Sequence, residues 1–375
     1  MGKSLKILEL CLSPGYGGLE LYVNKVTNYF SSDEKYDVLA VLRENSFLDQ
    51  KLSSQSVKKQ YLSTFNRHFP IIAAFKLAKI LAKEKINIIH VHWGKDLFLA
   101  VLAKTFCKKP VKIMYMRQMA LTRHKKDIYH KFLYKNVDAY QVITKALYND
   151  AIKFLPLEKE KIHLLYYGVP EGINSHSCDE YLRSKGVDPE SFKVAIFGRV
   201  EEGKGQHLVI QAVRNIYQHK NNISLSVIGH VMDQTYLKKL EDLANIENTN
   251  QFIYFHGFHD NPSSIMSCFD VVVLATRCET FGLVLPEAMR SETAVIGTNC
   301  GGVPEIIIDG ETGLLFESDD AKGLEMALDK FVSNKEYCIR LAKNGKNYAD
   351  KQFSEELHFK NLDVIIKQLD CNYGV

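Results

Sequence analysis

The chain has 375 residues, 46% of them hydrophobic and 25% charged, with a net charge of +4. That length carries two domains of ordinary size, and no stretch approaches the roughly 20 consecutive apolar residues of a membrane-spanning helix. The net charge hides an asymmetry: residues 1–170 hold 28 Lys and Arg against 14 Asp and Glu, a balance of +14, whereas residues 171–375 hold 20 against 30, a balance of −10. The basic excess clusters in Lys76–Lys85, Lys104–Lys112 and Arg117–Lys135, and suits an anionic acceptor or an anionic membrane surface. Lys76, Lys79 and Lys83 share one helix face, which a solvated surface explains as well as a lipid patch does. No aromatic-interleaved basic motif or nucleic-acid-binding signature occurs, so no nucleic-acid partner is expected. The eight cysteines (Cys11, Cys107, Cys178, Cys268, Cys278, Cys300, Cys338, Cys371) include no C-x-x-C pair. They read as reduced thiols of a cytosolic protein, not as a disulfide frame or zinc site. Met1-Gly2-Lys3-Ser4 runs into a strand without the apolar core of a signal peptide. A cytoplasmic protein is expected, with peripheral attachment to the inner face of the cytoplasmic membrane as a variant.

In chain order, the strand Leu5–Leu10 is followed by the turn Pro14-Gly15-Tyr16-Gly17-Gly18 and the helix Leu19–Phe30. The turn is not G-x-G-x-x-G, so the dinucleotide fingerprint is absent. Gly17 and Gly18 still open a helix, where unpaired amides are available to an anion. Strands at Asp37–Leu42, Ile86–Val91, Val111–Met116, Ala139–Ile143 and Ile162–Tyr166 alternate with amphipathic stretches such as Ile71–Lys83, Leu97–Phe106 and Lys145–Phe154. Such alternation predicts a parallel sheet covered by helices. His90 and His92 end one of these strands on the same side, facing either a substrate cleft or the core; a metal would need further ligands that the spacing does not supply.

Tyr167–Asp188 is polar, with Gly168, Pro170, Gly172 and Gly186, and reads as a crossover between domains. Strands then resume at Lys193–Phe197, Leu225–Ile228, Phe252–Phe255, Val271–Leu274, Ala294–Gly297 and Leu314–Phe316. Helices close the chain near Ala321–Val332, Glu336–Gln352 and Glu355–Leu369. After the first of these strands comes Gly198-Arg199-Val200-Glu201-Glu202-Gly203-Lys204-Gly205. Its Arg199 and Lys204 flank a glycine-rich turn at the carboxyl end of a strand, where ligands of open α/β sheets bind. A guanidinium grips phosphate oxygens bidentately and an ammonium adds a point charge. After Val271–Leu274 comes Glu279-Thr-Phe-Gly-Leu-Val-Leu-Pro-Glu287, two acids around a predicted helix start. Amides near Phe281, Gly282 and Leu283 suit a diphosphate, and the acids suit hydroxyls on either side of it. A solvated loop acid with a second acid in the first helical turn explains the same spacing. Cys300-Gly301-Gly302-Val303-Pro304-Glu305 reads as a tight strand-to-helix turn with proline in the first turn.

Taken together and in order, Gly17-Gly18-Leu19-Glu20, Gly168-Val169, Gly198-Arg199 with Lys204-Gly205, the Glu279…Glu287 pair, Cys300-Gly301-Gly302-Val303-Pro304-Glu305 and Asp309-Gly310…Gly313-Leu314 resemble glycosyltransferase family 4. The resemblance spans the chain and is densest after Phe192. It implies the α/β GT-B fold, two facing Rossmann-like domains with a cleft between them. The N-terminal acceptor domain would cover 1–170, with a C-terminal helix at about 355–375 packing back on it, and the donor domain 171–354. It implies a retaining hexosyltransferase acting from a UDP- or GDP-linked sugar on a glycan or lipid-linked glycan, in cell-surface polysaccharide or lipopolysaccharide biosynthesis. Arg199, Lys204 and Glu279 would be catalytic, with Glu279 on a sugar hydroxyl and Glu287 on the ribose. Gly17, Gly18, Phe281, Gly282 and Leu283 would complete the donor site. Many relatives carry a histidine in the loop after Val111–Met116; here Gln118 falls at that position, with His124 close by, and His92 is a further acceptor-side candidate. No Asp-x-Asp metal signature occurs anywhere in the chain, so no metal or other cofactor is expected and Arg199 and Lys204 would neutralise the diphosphate. Alternatives are an epimerase or hydrolase of sugar nucleotides on the same fold, or a non-catalytic nucleotide-sugar-binding protein.

Overall fold

The computed structural model describes residues 4–15, 17–52, 57–63, 70–172, 177–245 and 251–371. Met1–Lys3, Tyr16 of the first glycine-rich turn and residues 173–176 of the expected crossover lie outside them. The chain divides into two compact units: Met1–Tyr166 with His358–Val375, and Tyr167–Leu357.

The first unit runs β1 (Leu5–Cys11), α1 (Gly18–Ser32), β2 (Tyr36–Leu42), α2 (Phe47–Leu52), β3 (Lys58–Tyr61), α3 (Ile71–Glu84), β4 (Ile88–Val91), α4 (Leu97–Phe106), β5 (Lys112–Arg117), α5 (Ile128–Lys135), β6 (Ala139–Val142), α6 (Lys145–Phe154) and β7 (Ile162–Leu164). Its strands form one parallel sheet in the order β3-β2-β1-β4-β5-β6-β7. The inner strands are nearly continuous apolar runs because helices cover both faces of such a sheet. β3, sequence KKQY, is an exposed edge strand, and its polar character is why apolar patterning passed over it. Side chains start several helices: Asp127 accepts from the His130 amide and Thr144 from the Leu147 amide, satisfying donors that have no partner inside the helix.

The second unit runs α7 (Cys178–Ser184), β8 (Phe192–Phe197), α8 (Gln206–Lys220), β9 (Ile223–Ile228), α9 (Gln234–Asn245), β10 (Ile253–Gly257), β11 (Val271–Leu274), α10 (Val284–Arg290), β12 (Ala294–Thr298), β13 (Leu314–Phe316), α11 (Ala321–Ser333) and α12 (Lys335–Gln352). Its sheet, also parallel, has the order β10-β9-β8-β11-β12-β13. The order reverses between β8 and β11, which makes the loops following those two strands the expected ligand-binding edge. The last helix, α13 (Glu355–Cys371), belongs to the first unit from His358 onward. His358 Nδ1 donates to the Tyr166 carbonyl at 2.6 Å, so its Nε2 accepts from Tyr22 Oη at 3.0 Å. Phe359 stacks on Tyr29 at 4.1 Å.

Two expectations need correction. The crossover segment contains a helix, α7, and the cysteines are not all reduced: Cys178, the first residue of α7, is disulfide-bonded to Cys268 just before β11. The partners are 90 residues apart, and only the packing of α7 against the segment around Cys268 brings them together. With that bridge present, cysteine usage no longer argues for a reducing compartment. No helix among the described residues is long and apolar enough to cross a membrane.

Candidate active site

The second unit gathers most of the expected donor residues at the β8/β11 switch point. The loop after β8 carries Arg199 and Lys204, and the loop after β11 carries Glu279. Gly205 is the close approach between them: its φ is +72°, and a Cβ there would lie 2.1 Å from the Ala275 carbonyl oxygen. Only glycine permits both that backbone conformation and that distance. The Arg277 amide donates to the Gly203 carbonyl at 3.2 Å, and Lys204 Nζ meets Glu279 Oε2 at 3.0 Å. Buried Gln206 donates from Nε2 to the Arg199 carbonyl at 2.8 Å, bracing the loop from the start of α8. Arg199 itself projects outward, its side chain 57% exposed, and pairs with Glu201 at 2.9 Å.

A third loop, after β12, leans on the second. The Gly302 amide donates to the Glu279 carbonyl at 3.0 Å. Gly301, with φ +63°, comes so near that a Cβ would lie 1.9 Å from the same carbonyl oxygen. Phe281 is buried edge-on against Tyr167 and Phe353, with ring centroids 5.4 and 5.9 Å away. Gly282 adopts φ +87° and Leu283 caps α10, in whose first turn the half-buried Glu287 lies. The chemistry of this site is therefore two cations and two carboxylates around three glycine-bearing loops.

The remaining expected residues are in the first unit. Gly17 and Gly18 open α1, and the preceding turn is braced by buried Glu20, which accepts from Ser13 Oγ at 2.5 Å. Gln118 follows β5, half-buried, with Nε2 3.7 Å from the Met116 sulfur. His124 is exposed, edge-on to Phe154 at 4.9 Å. His92 is buried, its Nε2 2.5 Å from Glu9 Oε2, while His90 Nδ1 lies 3.1 Å from the same oxygen. Glu9 is the third donor atom that the His90–His92 spacing could not place, and all three groups converge within 4.8 Å. At these separations the carboxylate accepts from both imidazole N–H groups. Burial alone would push the Glu9 carboxyl up; the two histidines outweigh it and hold it down at about 2. Burial, reinforced by His90, pushes His92 down to about 4 against the pull of Glu9. An acid in the middle of the mostly apolar β1 was the available signal for Glu9. For Gln206 and for the Lys204–Glu279 contact the sequence carried none.

Two families match the chain. "Glycosyltransferase Family 4" covers residues 16–171 and "Glycosyl transferases group 1" covers residues 178–348. Capsular polysaccharide biosynthesis glycosyltransferase CapM of Staphylococcus aureus is 24% identical over 302 residues, covering 77% of this chain and 78% of CapM. The lipopolysaccharide core biosynthesis mannosyltransferase LpcC of Rhizobium leguminosarum is 22% identical, covering 77% of this chain and 80% of LpcC. Among solved structures, HepE of Anabaena in complex with UDP superposes with a TM-score of 0.84 at 17% identity, covering 98% of this chain and 100% of HepE. Another structure of HepE holds UDP-glucose. These likenesses establish two Rossmann-like units of GT-B type.

Proposed function

We propose that this chain, which belongs to the glycosyltransferases of group 1 and family 4, moves a hexosyl residue from a UDP- or GDP-linked sugar to a glycan or lipid-linked glycan, with retention and without a metal. The observation that carries the donor half is the Lys204–Glu279 pair at the β8/β11 switch point, 3.0 Å apart and partly exposed. It sets an ammonium for the diphosphate beside a carboxylate for a sugar hydroxyl. The carboxylate of Glu287 is assigned to the ribose, and the amides of Phe281, Gly282 and Leu283 to the anion. HepE binds UDP and UDP-glucose, which supports a uridine donor. The capsule and lipopolysaccharide relatives support a route to cell-surface glycan.

In the reaction the anomeric C–O bond to the diphosphate breaks and an acceptor hydroxyl attacks on the face being vacated. The leaving phosphate oxygen takes the acceptor proton. Arg199 and Lys204 stabilise the charge that develops on the diphosphate, which is usually the largest catalytic contribution. On the acceptor side stand Gln118 and His124, of which Gln118 donates a hydrogen bond to a sugar hydroxyl without moving a proton; His92, expected there as well, is instead buried against Glu9.

An anionic membrane surface is the proposed docking partner of the first unit. The outward face of α3 combines Ile72 (75% exposed) and Phe75 (51%) with exposed Lys76, Lys79 and Lys83. α5 adds Ile128 (89%) beside Lys131 and Lys135. Apolar side chains that insert at the headgroup level, among cations that meet anionic lipid, favour a membrane over a merely solvated face.

The test is turnover with a panel of UDP-, GDP- and ADP-sugars, with and without glycan acceptors, in buffer and in EDTA. The proposal expects acceptor-dependent product that survives EDTA. Donor cleavage independent of acceptor would replace transfer by hydrolysis, interconversion of the donor would replace it by epimerisation, and abolition by EDTA with rescue by Mn²⁺ or Mg²⁺ would overturn metal-free neutralisation.

A further inference from the structure

Two cysteines sit inside the donor loops, each next to a residue that builds the site. Cys278 precedes Glu279, and Cys300 precedes Gly301. Their loops run side by side, pinned on both sides of the cysteines: Thr298 Oγ1 donates to the Thr276 carbonyl at 2.8 Å, and the Gly302 amide donates to the Glu279 carbonyl at 3.0 Å. Cys278 and Cys300 lie on facing stretches of the two loops between these cross-links, and the Cys278 thiol is near enough to act on the Cys300 thiol. Cys278 is exposed and Cys300 half-buried. Of the other described cysteines, Cys178 and Cys268 are bonded to each other, Cys11 and Cys338 are buried, and Cys107 is half-buried in the first unit. The Cys278–Cys300 pair thus presents one exposed thiol and lies on the two cross-linked loops next to the Lys204–Glu279 contact.

We propose that Cys278 and Cys300 form a reversible disulfide by exchange with a low-molecular-weight disulfide, and that this bond holds the Glu279 loop in its closed, lysine-paired state and suppresses donor use. Cys278, the exposed sulfur, attacks the small disulfide as its thiolate, forming a mixed disulfide and releasing one thiol. Cys300 gives its proton to solvent and its sulfur attacks the Cys278 sulfur, releasing the second thiol. One S–S bond is consumed and one formed; the two cysteines lose two electrons and two protons, and the small disulfide gains them. Cys278 is exposed and Cys300 half-buried, so the small disulfide reaches Cys278 first; burial also pushes the Cys300 thiol up. The loops need little movement to close the bond because Gly301 already lies against the Glu279 carbonyl.

The effect on donor use rests on the proposed function; the disulfide itself does not. The full chain is equilibrated in mixtures of reduced and oxidised glutathione, free thiols are blocked, and the linkages are mapped by peptide mass. The expected result is a Cys278–Cys300 link that appears with oxidised and disappears with reduced glutathione while Cys178–Cys268 persists. Alongside it, donor turnover falls about tenfold or more, within the range of ordinary couplings between sites. Cys278→Ser keeps reduced-state turnover and loses the sensitivity; Cys300→Ser accumulates a glutathione adduct on Cys278. Absence of the link across the glutathione series overturns the proposal, as does a link that leaves turnover unchanged. A link that forms in a protein using no nucleotide sugar confirms the exchange and removes the donor assignment beneath it.

Discussion

The contact between Lys204 and Glu279 makes an unequal prediction for its two partners. Their charged atoms are 3.0 Å apart, and each side chain is 23% exposed. An ion pair with that much access to water is worth up to about 1 kcal/mol, or about fivefold in an equilibrium constant. An incoming diphosphate competes with Glu279 for the same ammonium. Glu279→Ala removes the competitor, so it should bind a nucleoside diphosphate as tightly as the parent, or up to about fivefold more tightly, while transferring sugar more slowly. Lys204→Ala removes a charge needed as the diphosphate departs, and turnover should fall roughly 10²–10³-fold. Folding stability should change by no more than about 1 kcal/mol in either variant, so activity lost is not protein lost. Calorimetry with the nucleoside diphosphate alone, combined with turnover on the sugar nucleotide, measures both sides. A tenfold loss of diphosphate affinity in Glu279→Ala, or near-parental turnover in Lys204→Ala, would refute the reasoning.

Glu287→Ala should weaken nucleotide binding by about tenfold to a hundredfold, the worth of charged hydrogen bonds to ribose hydroxyls; titration with the nucleoside diphosphate checks it, and unchanged affinity removes the ribose role. Liposome sedimentation should show salt-sensitive binding to anionic vesicles, each cation near the surface contributing about 1 kcal/mol, with the Ile72→Ser/Phe75→Ser double variant losing much of it; equal, negligible binding to anionic and neutral vesicles at low salt assigns the basic charge elsewhere. The Glu9 carboxyl, held at about 2, and the His92 imidazole, at about 4, both lie below their ordinary values of 4.5 and 6.5. Each therefore contributes stability above its ordinary value that is lost as pH falls toward the folded one. Buried His358, pushed down to about 4, acts in the same direction. The unfolding temperature should drop as pH is lowered from about 6.5 to 4 and go on dropping toward 2, and His92→Asn should flatten the upper part of that fall; an unfolding temperature unchanged from pH 7 to 4.5 would contradict the buried cluster.

The chain's own pattern determined the architecture. Helices Leu97–Phe106 and Lys145–Phe154 and strands Val271–Leu274 and Leu314–Phe316 stand where periodicity placed them, because apolar spacing is a local property that a buried sheet or helix face must satisfy. The glycine-rich turns were equally legible, since each follows a strand and opens a helix. The edge strand Lys58–Tyr61 was not, because an edge strand buries little and its residues stay polar. Tertiary structure alone decided which side chains meet. Lys204 and Glu279 are 75 residues apart, Glu9 and His92 are 83 apart, and Cys178 and Cys268 are 90 apart. Each pair is brought together by the lateral order of strands in a sheet or by helix packing against it. That order is set by how the helices cover the two faces, and no single segment encodes it. Local spacing therefore names the elements and their loops, whereas the pairings that give those loops their chemistry exist only once the sheets have closed.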